Sequence, residues 1–235
     1  MRALAALGLS FAIAFGSSNV DIIKELFTNP NFDKAKHFRG EAARRNHDFN
    51  IKGFYITEIT PLGSGYEFDV FRVSLSSNDD SEHFDLYVYM IEDGIYAVRS
   101  LAMIGVIKDL IYHYEKISDK QKKDLDIENL KLTVAKDSEL IKFGKENLHK
   151  FERIFEIYGS NFSDKNDQIE RILKSLHLSH IENNDDVFRI VVGGMVDNIV
   201  GFFRVEKEED APLMHENLYI MIEKIAPKWY LFKTT

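Results

Sequence analysis

One pattern of strands occurs twice in this chain and constrains its fold more than any other feature. Residues 71–100 align with residues 203–234 over most of their length. The triplet that starts at Phe71 recurs at Phe203, and His83 matches His215 at the same spacing. A repeat of this kind determines the architecture of a chain. It predicts two similar units that contain strands.

The alignment leaves two explanations open, a duplication or a chance match between ordinary hairpins. Strands favour Val, Ile, Tyr and Phe in any protein, so matches of these types carry little weight. The second copy also lacks one residue after Tyr219. Such a one-residue slip exchanges the two faces of a strand unless a bulge absorbs it. The argument for duplication rests more on the triplets that start at Phe71 and Met90, on the equally spaced histidines and on the basic residue at the end of each copy.

The matched positions supply the candidate binding residues. The aligned pairs are Arg72 with Arg204, His83 with His215, Tyr87 with Tyr219, and Arg99 with Lys233, and Trp229 is added as the only tryptophan. Tyrosine, tryptophan and arginine are enriched in recognition hot spots. Residues that two copies share are also the ones that build a common fold. Both a binding role and a structural role are therefore open for this set.

Composition excludes several classes of protein. At 235 residues, with 45% hydrophobic and 29% charged residues, the chain is typical of one large or two small globular domains. Its net charge of −8 disfavours non-specific binding to nucleic acid, which needs a basic surface. The sequence contains no cysteine, which excludes disulfides, thiolate metal sites and a cysteine nucleophile.

The first sixteen residues predict a secretory signal peptide. Arg2 precedes an apolar run from Ala3 to Phe15, and small residues at Ala14 and Gly16 stand where a signal peptidase would cleave before Ser17. The run is shorter than the about 20 apolar residues that span a bilayer. We therefore expect export to the periplasm or the medium. The alternative is a buried N-terminal helix of a cytoplasmic protein.

Residues 17–101 are predicted to form the first α+β unit. Two helices, Asp21–Phe27 and Phe32–Asn46, precede four strands at Phe54–Thr60, Tyr66–Leu75, Phe84–Glu92 and Ile95–Leu101. Asp93-Gly94 is a strong hairpin signal. The second helix carries a basic patch, which either binds an anionic partner or is a solvated helix face. Its residues are Lys34, Lys36, His37, Arg39, Arg44 and Arg45, with His47 just beyond.

Residues 102–159 are predicted to form a packed helical connector, and residues 160–235 a second α+β unit. Ser118 and Gln121 have the spacing of a capping box that opens a helix within the connector. The second unit is predicted as a helix from Ser163 to about His180, a turn at 183–186, and four strands. These strands are Val187–Val192, Ile199–Glu206, Leu218–Lys224 and Trp229–Thr234.

Each unit is thus a helix followed by a four-stranded antiparallel meander, which resembles the cystatin-like and nuclear-transport-factor-2-like folds in element order. Tandem units of this kind also resemble secreted beta-lactamase inhibitor proteins, although those carry disulfides. The nuclear-transport-factor-2-like resemblance implies a cavity between helix and sheet with a His or Asp base. Glu58, Asp69, His83 and Arg99 are the residues that could line it. Fold alone does not define function.

A search for catalytic motifs finds no phosphate-binding loop, no dinucleotide-binding glycine pattern, no nucleophile elbow and no His-Glu-x-x-His motif. His177 and His180 lie three residues apart but lack a third ligand for zinc. We therefore predict no metal and no cofactor, and we favour a non-enzymatic protein.

The sequence favours an exported or envelope-associated protein that binds another protein, for example an inhibitor or immunity protein. The alternative is a nuclear-transport-factor-2-like cavity protein that binds a small apolar ligand or acts as an enzyme. If the C-terminal strand, Trp229 to Thr235, were an unpaired sheet edge, it would also allow a homodimer.

Overall fold

A computed structural model describes residues 9–49, 51–123, 125–160, 163–184 and 187–235 of the chain. These residues form two compact units, Met1–Ser100 (unit 1) and Leu101–Thr235 (unit 2). Residues 1–8 of the predicted signal peptide and residues 185–186 of the predicted turn lie outside the described parts. Helices and antiparallel sheets in both units confirm the predicted α+β class.

Unit 1 consists of helices followed by one sheet. Its helices are α1 Leu9–Thr28, α2 Lys34–His37 and α3 Gly40–Arg45, and its strands are β1 Phe54–Ser64, β2 Asp69–Ser77, β3 His83–Ile91 and β4 Gly94–Arg99. The strands pair antiparallel in the order β1-β2-β3-β4. The predicted meander of the first unit is therefore confirmed.

The core of unit 1 lies between α1 and one face of this sheet. Ile23, Leu26 and Phe27 supply the helix side of the core, together with Phe38 and Ala42. Alternate residues of the strands supply the other side, namely Phe71, Val73, Leu75, Val88, Met90 and Ile95. Because successive strand residues point to opposite faces, the intervening residues of β2 and β3 face away from α1.

The predicted helix Phe32–Asn46 is divided into α2 and α3. Phe38 forms an isolated parallel bridge with Ile95, and the amide of Arg39 donates to the carbonyl of Ile95 at 2.9 Å. This pairing with the edge of β4 takes two residues out of the helix. The segment that carries the basic patch thereby packs along one edge of the sheet.

Unit 2 consists of helices followed by a second sheet. Its helices are α4 Ile104–His113, α5 Asp119–Lys123, α6 Ile127–Thr133, α7 Asp137–Glu146, α8 Leu148–Tyr158 and α9 Lys165–Ser175, and its strands are β5 His180–Asn184, β6 Val187–Met195, β7 Asn198–Arg204, β8 Tyr219–Ala226 and β9 Trp229–Thr234. The residues predicted as a connector thus belong to unit 2. The capping box is confirmed, because the Ser118 amide donates to Gln121 Oε1 at 3.1 Å.

The second sheet differs in detail from the predicted four-stranded meander. Its strand order is β5-β6-β7-β9-β8, with one strand more than expected. The C-terminal strand β9 lies between β7 and β8, so the prediction that Trp229–Thr235 is an unpaired edge is wrong. The homodimer proposed through that edge loses its basis. In the described part of this sheet the edges are β5 and β8.

Helices α7 and α8 pack on one face of this sheet through aromatic side chains. The Phe151 ring lies 4.8 Å from the Phe202 ring and 5.6 Å from the Trp229 ring, measured between centroids. Phe188 lies 5.3 Å from Phe155. These aromatic contacts define the helix-facing side of the sheet, and aromatic side chains contribute much of the buried area of such cores.

The alignment of the two copies does not carry over to the structure. Phe71 belongs to the helix-facing core of unit 1, whereas Phe203 stacks on Tyr230 on the sheet face opposite the helices. Conversely, Arg204 lies on the helix-facing side, 4.0 Å from the Phe155 ring centroid. The strand aligned with β3 is the edge strand β8. The matched residues therefore occupy different environments.

None of the helices in the described residues combines the length and the apolar character needed to cross a membrane.

Candidate functional site

Three of the predicted binding residues of unit 1 lie side by side in its sheet. Tyr87 is the register partner of Arg72 on one side and of Arg99 on the other. Directly paired residues of antiparallel strands share a face, so the three side chains form one row. Tyr87 is fully buried and Arg72 is 7% exposed. This row is part of the interior rather than an open surface.

Arg99 and His83 each have a polar partner within unit 1. Arg99 Nη2 lies 2.5 Å from Glu41 Oε2, and Arg45 Nε lies 2.8 Å from Glu41 Oε1. The hydrogen bond from Arg99 lowers the pKa of Glu41 below its ordinary value, against the opposing effect of burial. His83 Nδ1 lies 2.5 Å from Ser76 Oγ. These contacts tie strands and helix together.

The residues suggested for a cavity in unit 1 do not converge. Glu58 and Asp69 are exposed, and Asp69 accepts a hydrogen bond from Ser64 at 2.9 Å. Two pockets found in unit 1 measure about 100 and 40 Å³. Small-molecule sites usually measure roughly 300–1,000 Å³. The described pockets of this unit are therefore too small for such a ligand.

Three predicted residues of unit 2 face its helices. Trp229 Nε1 donates to Glu152 Oε1 at 2.8 Å, and Arg204 lies against the ring of Phe155 in the same helix, α8. Lys233 Nζ lies 2.7 Å from Asp137 Oδ1 at the start of α7. All three side chains join the sheet to α7 and α8, so their contacts build the fold.

The two remaining predicted residues lie elsewhere in unit 2. Tyr219 accepts a hydrogen bond from Arg189 on the sheet face opposite the helices. His215 precedes β8, and its Nδ1 accepts a hydrogen bond from the Asn217 amide at 3.1 Å. Neither residue lines the pocket that unit 2 has between α9 and β5.

The basic patch of α2 and α3 is partly neutralised by neighbouring carboxylates. Arg39 Nη2 lies 3.6 Å from Asp93 Oδ1, and Arg45 pairs with Glu41. These carboxylates offset part of the positive charge that would attract an anionic partner. The patch is therefore a weaker candidate for a specific site than a shaped pocket.

Such a pocket lies in unit 2, between α9 and the edge strand β5. It is a groove of about 470 Å³. Its floor is apolar and consists of Ile169 and Leu173 from α9, Leu178 from the connection, and Ile181 from β5. The groove is also lined by polar residues, namely Asn166, Glu170, Lys174, Ser179 and His180. Its volume falls within the range of small-molecule sites. We call it the α9–β5 groove.

Polar side chains form the rim of the α9–β5 groove and continue along β5. Ser179 Oγ lies 2.9 Å from His180 Nδ1, and His180 Nε2 lies 3.1 Å from Glu182 Oε1. Glu182 Oε2 lies 3.5 Å from Arg189 Nη1 on the neighbouring strand. When the ring accepts the Ser179 hydroxyl proton at Nδ1, its Nε2–H donates to Glu182. The partners follow the order of a Ser-His-acid triad, but the two ring nitrogens are exchanged relative to that arrangement.

The connection between α9 and β5 is fixed to α6. His177, with φ 54°, lies 2.9 Å through Nδ1 from Asp126 Oδ2, and Asn129 Nδ2 donates to the His177 carbonyl at 2.7 Å. Desolvation acts to raise the pKa of Asp126, but hydrogen bonds from His177, Asn129 and Glu128 outweigh it and lower the pKa. One wall of the groove is therefore held in place before any ligand binds.

His177 and His180 pair with different carboxylates, and the described residues contain no group of three or more His, Asp or Glu placed to hold a metal.

Sequence reasoning missed the α9–β5 groove because β5 was predicted as the end of a helix and a turn. Its sequence, His180 to Asn184, is mostly polar and shows no strand-like alternation. The available signal was the predicted turn at 183–186. A turn directly before a strand is compatible with a hairpin, whose first strand would here be residues 180–184.

Comparisons with known proteins add no family to this geometry: no family model, no curated protein and no solved structure matches the chain.

Proposed function

We propose that this chain is a non-enzymatic binding protein and that the α9–β5 groove is its binding site. The observation that carries the proposal is the groove itself, about 470 Å³ in volume, with an apolar floor and one wall fixed to α6. A wall that needs little ordering on binding lowers the entropic cost of association. An inhibitor or immunity protein, which binds its target protein, is one form of this function.

The test is affinity capture of a partner from an extract of the native host. The bait is the full chain or one of two variants, each with a single substitution in α9. Lys174 lines the groove, whereas Arg171 is exposed on the same helix and does not line it. Lys174→Trp places a bulky ring at the groove, and Arg171→Trp is the matched control. A partner retained by the wild type and by Arg171→Trp, but not by Lys174→Trp, supports the proposal. Equal retention by all three proteins would contradict it.

We also propose that the protein acts in the cell envelope or outside the cell. Support comes from the apolar run from Ala3 to Phe15, and from the packing of α1 beyond it. Ile23, Leu26 and Phe27 pack in the core of unit 1, so cleavage after Gly16 would leave these core residues in place. N-terminal sequencing of protein from the native host tests this. A chain that begins at Ser17 supports export, and an intact Met1 contradicts it.

A second candidate function is hydrolysis by Ser179, which the hydrogen-bonded chain to His180 and Glu182 favours. In this reaction His180 would accept the Ser179 proton as the hydroxyl attacks an acyl carbonyl, and would return it to the leaving group as the acyl bond breaks; water would then hydrolyse the acyl-enzyme. His180 is about half exposed, however, so water competes for its hydrogen bonds. A fluorophosphonate probe decides between the functions. Labelling of the wild type but not of Ser179→Ala would support a hydrolase. If the wild type is not labelled, the result favours the non-enzymatic binding protein.

A further inference from the structure

We propose that the occupant of the α9–β5 groove is an extended polypeptide segment that adds to β5 as a further strand of the sheet. This inference rests on the proposed function and specifies the chemical class of the partner. Two features meet at this place, an unpaired strand edge and an apolar groove beside it. Peptide recognition by strand addition uses both, since the backbone gives affinity and alternate side chains give specificity.

The backbone of β5 favours a polypeptide over other ligands. Among the described strands, β5 pairs only with β6. Antiparallel pairing on one side leaves every second residue of an edge strand with its N–H and C=O pointing outward. These groups repeat along the strand at the spacing of another strand. An extended peptide supplies the matching alternation of donors and acceptors, which a small apolar molecule does not.

The register of β5 predicts the side-chain pattern of the peptide. Ile181 pairs with Ile190 on the helix-facing side, and Glu182 pairs with Arg189 on the other. A strand added to β5 follows the same alternation. Its residues on the helix-facing side would contact Ile169, and the residues between them would lie beside Glu182. We therefore expect apolar residues at alternate positions, separated by polar ones.

The length of β5 favours a flexible segment over a second folded copy of the chain. The strand has five residues, which corresponds to a length of about 17 Å. Stable dimers usually bury at least about 1,200 Å² in total. An edge this short, with charged Glu182 in its middle, provides little of that area by itself, and charges on an edge oppose self-association. A linear segment needs only the strand edge and the groove.

A pool of synthetic heptapeptides tests this proposal on the full chain. Positions 2, 4 and 6 carry Val, Ile, Leu or Phe at random, and the other positions carry Thr or Lys. We expect saturable binding by members of the pool, and slower amide hydrogen exchange within residues 180–184 when peptide is bound. If no member of the pool binds at concentrations up to about 1 mM, the proposal is overturned. A Kd at that limit corresponds to a binding free energy of only about −4 kcal/mol.

Two controls separate strand addition from simple occupation of the groove. The tightest peptide is also prepared with N-methyl groups at alternate backbone positions, in both registers, which removes N–H donors and keeps the side chains. We expect at least about tenfold weaker binding in one register, a loss of about 1.4 kcal/mol. If neither N-methylated peptide binds more weakly, or if exchange in 180–184 is unchanged, strand addition is wrong although the groove still binds. If Lys174→Trp binds the peptide as tightly as Arg171→Trp, the proposed site itself is wrong.

Discussion

Lys233 Nζ lies 2.7 Å from Asp137 Oδ1, and both side chains are almost completely withdrawn from solvent. The pair joins the interior strand β9 to the first turn of α7. A carboxylate in the first turn of a helix is also stabilised by the helix dipole. The ion pair therefore fixes the position of a helix on the sheet.

We predict that Lys233→Met destabilises unit 2 by roughly 3–5 kcal/mol, because it leaves the buried charge of Asp137 without this cation. Urea unfolding, followed by the fluorescence of the only tryptophan, Trp229, measures the change. Lys131→Met removes the exposed pair with Glu128 and serves as the control. Equal effects of the two substitutions would show that the buried pair has no special role.

The hydrogen bond from Trp229 to Glu152 gives a second prediction. Glu152→Leu removes the acceptor at 2.8 Å from the buried indole Nε1. We expect a loss of at least about 1–3 kcal/mol of stability in unit 2, because the buried indole loses its acceptor and Arg204 Nε loses Glu152 Oε2, 3.7 Å away. Thermal unfolding followed by circular dichroism measures it. Glu156→Leu, at an exposed position of the same helix, is expected to change the melting temperature much less.

Two helical glycines are predicted to respond in opposite directions to alanine. A Cβ at Gly144 would lie 2.7 Å from Phe202 Cε1, whereas a Cβ at Gly105 would meet nothing within 4 Å. Alanine is the better helix former by up to about 1 kcal/mol, and overpacking costs about 1–3 kcal/mol. Gly105→Ala should therefore stabilise unit 2 and Gly144→Ala should destabilise it. Urea unfolding of both variants checks the signs, and two changes of the same sign would contradict the packing around Gly144.

The lowered pKa of Glu41 predicts a pH dependence for unit 1. Its ordinary value is 4.5, and Arg99 holds the folded-state pKa below that. A carboxyl group of this kind stabilises the fold above its unfolded-state pKa and loses the contribution as pH falls through the folded-state pKa. The free energy of unfolding of Glu41→Gln should thus be lower than that of the wild type at pH 7. The difference should shrink as the solution is acidified below the ordinary pKa of Glu41.

Denaturant unfolding at a series of pH values, followed by far-ultraviolet circular dichroism, measures this difference. Glu67→Gln, at an exposed position of the same unit, is the control and should show little pH-dependent change. A difference for Glu41→Gln that stays constant from neutral to acidic pH would contradict the assigned role of Arg99.

Local patterns predicted the elements of the fold better than their arrangement. Strand content, the β8–β9 hairpin and the capping box at Ser118 follow from residues that are close in sequence. The position of β9 between β7 and β8 does not. The connection between β7 and β8, residues 205–218, is long enough for either order of strands. Trp229 packs against Phe151 in the observed order, and this contact joins residues far apart in sequence.

The candidate site shows the same limit. Arg72, Tyr87 and Arg99 were selected because the aligned residues match in kind, and the structure does bring them together in one row. Their burial depends on tertiary packing, which an alignment of strands does not reveal. The α9–β5 groove combines a helix face with a polar edge strand. Neither part is distinctive in the sequence, so the groove could be found only from coordinates.

The insertion of β9 between β7 and β8 has a consequence for synthesis of the chain on the ribosome. Strand β8 emerges before β9, yet within the described sheet it pairs only with β9. Until β9 has left the exit tunnel, β8 has no neighbour and β7 presents one open side. We therefore expect β7 to keep one open edge until β9 emerges, when the β8–β9 hairpin can dock onto β7 in a single step.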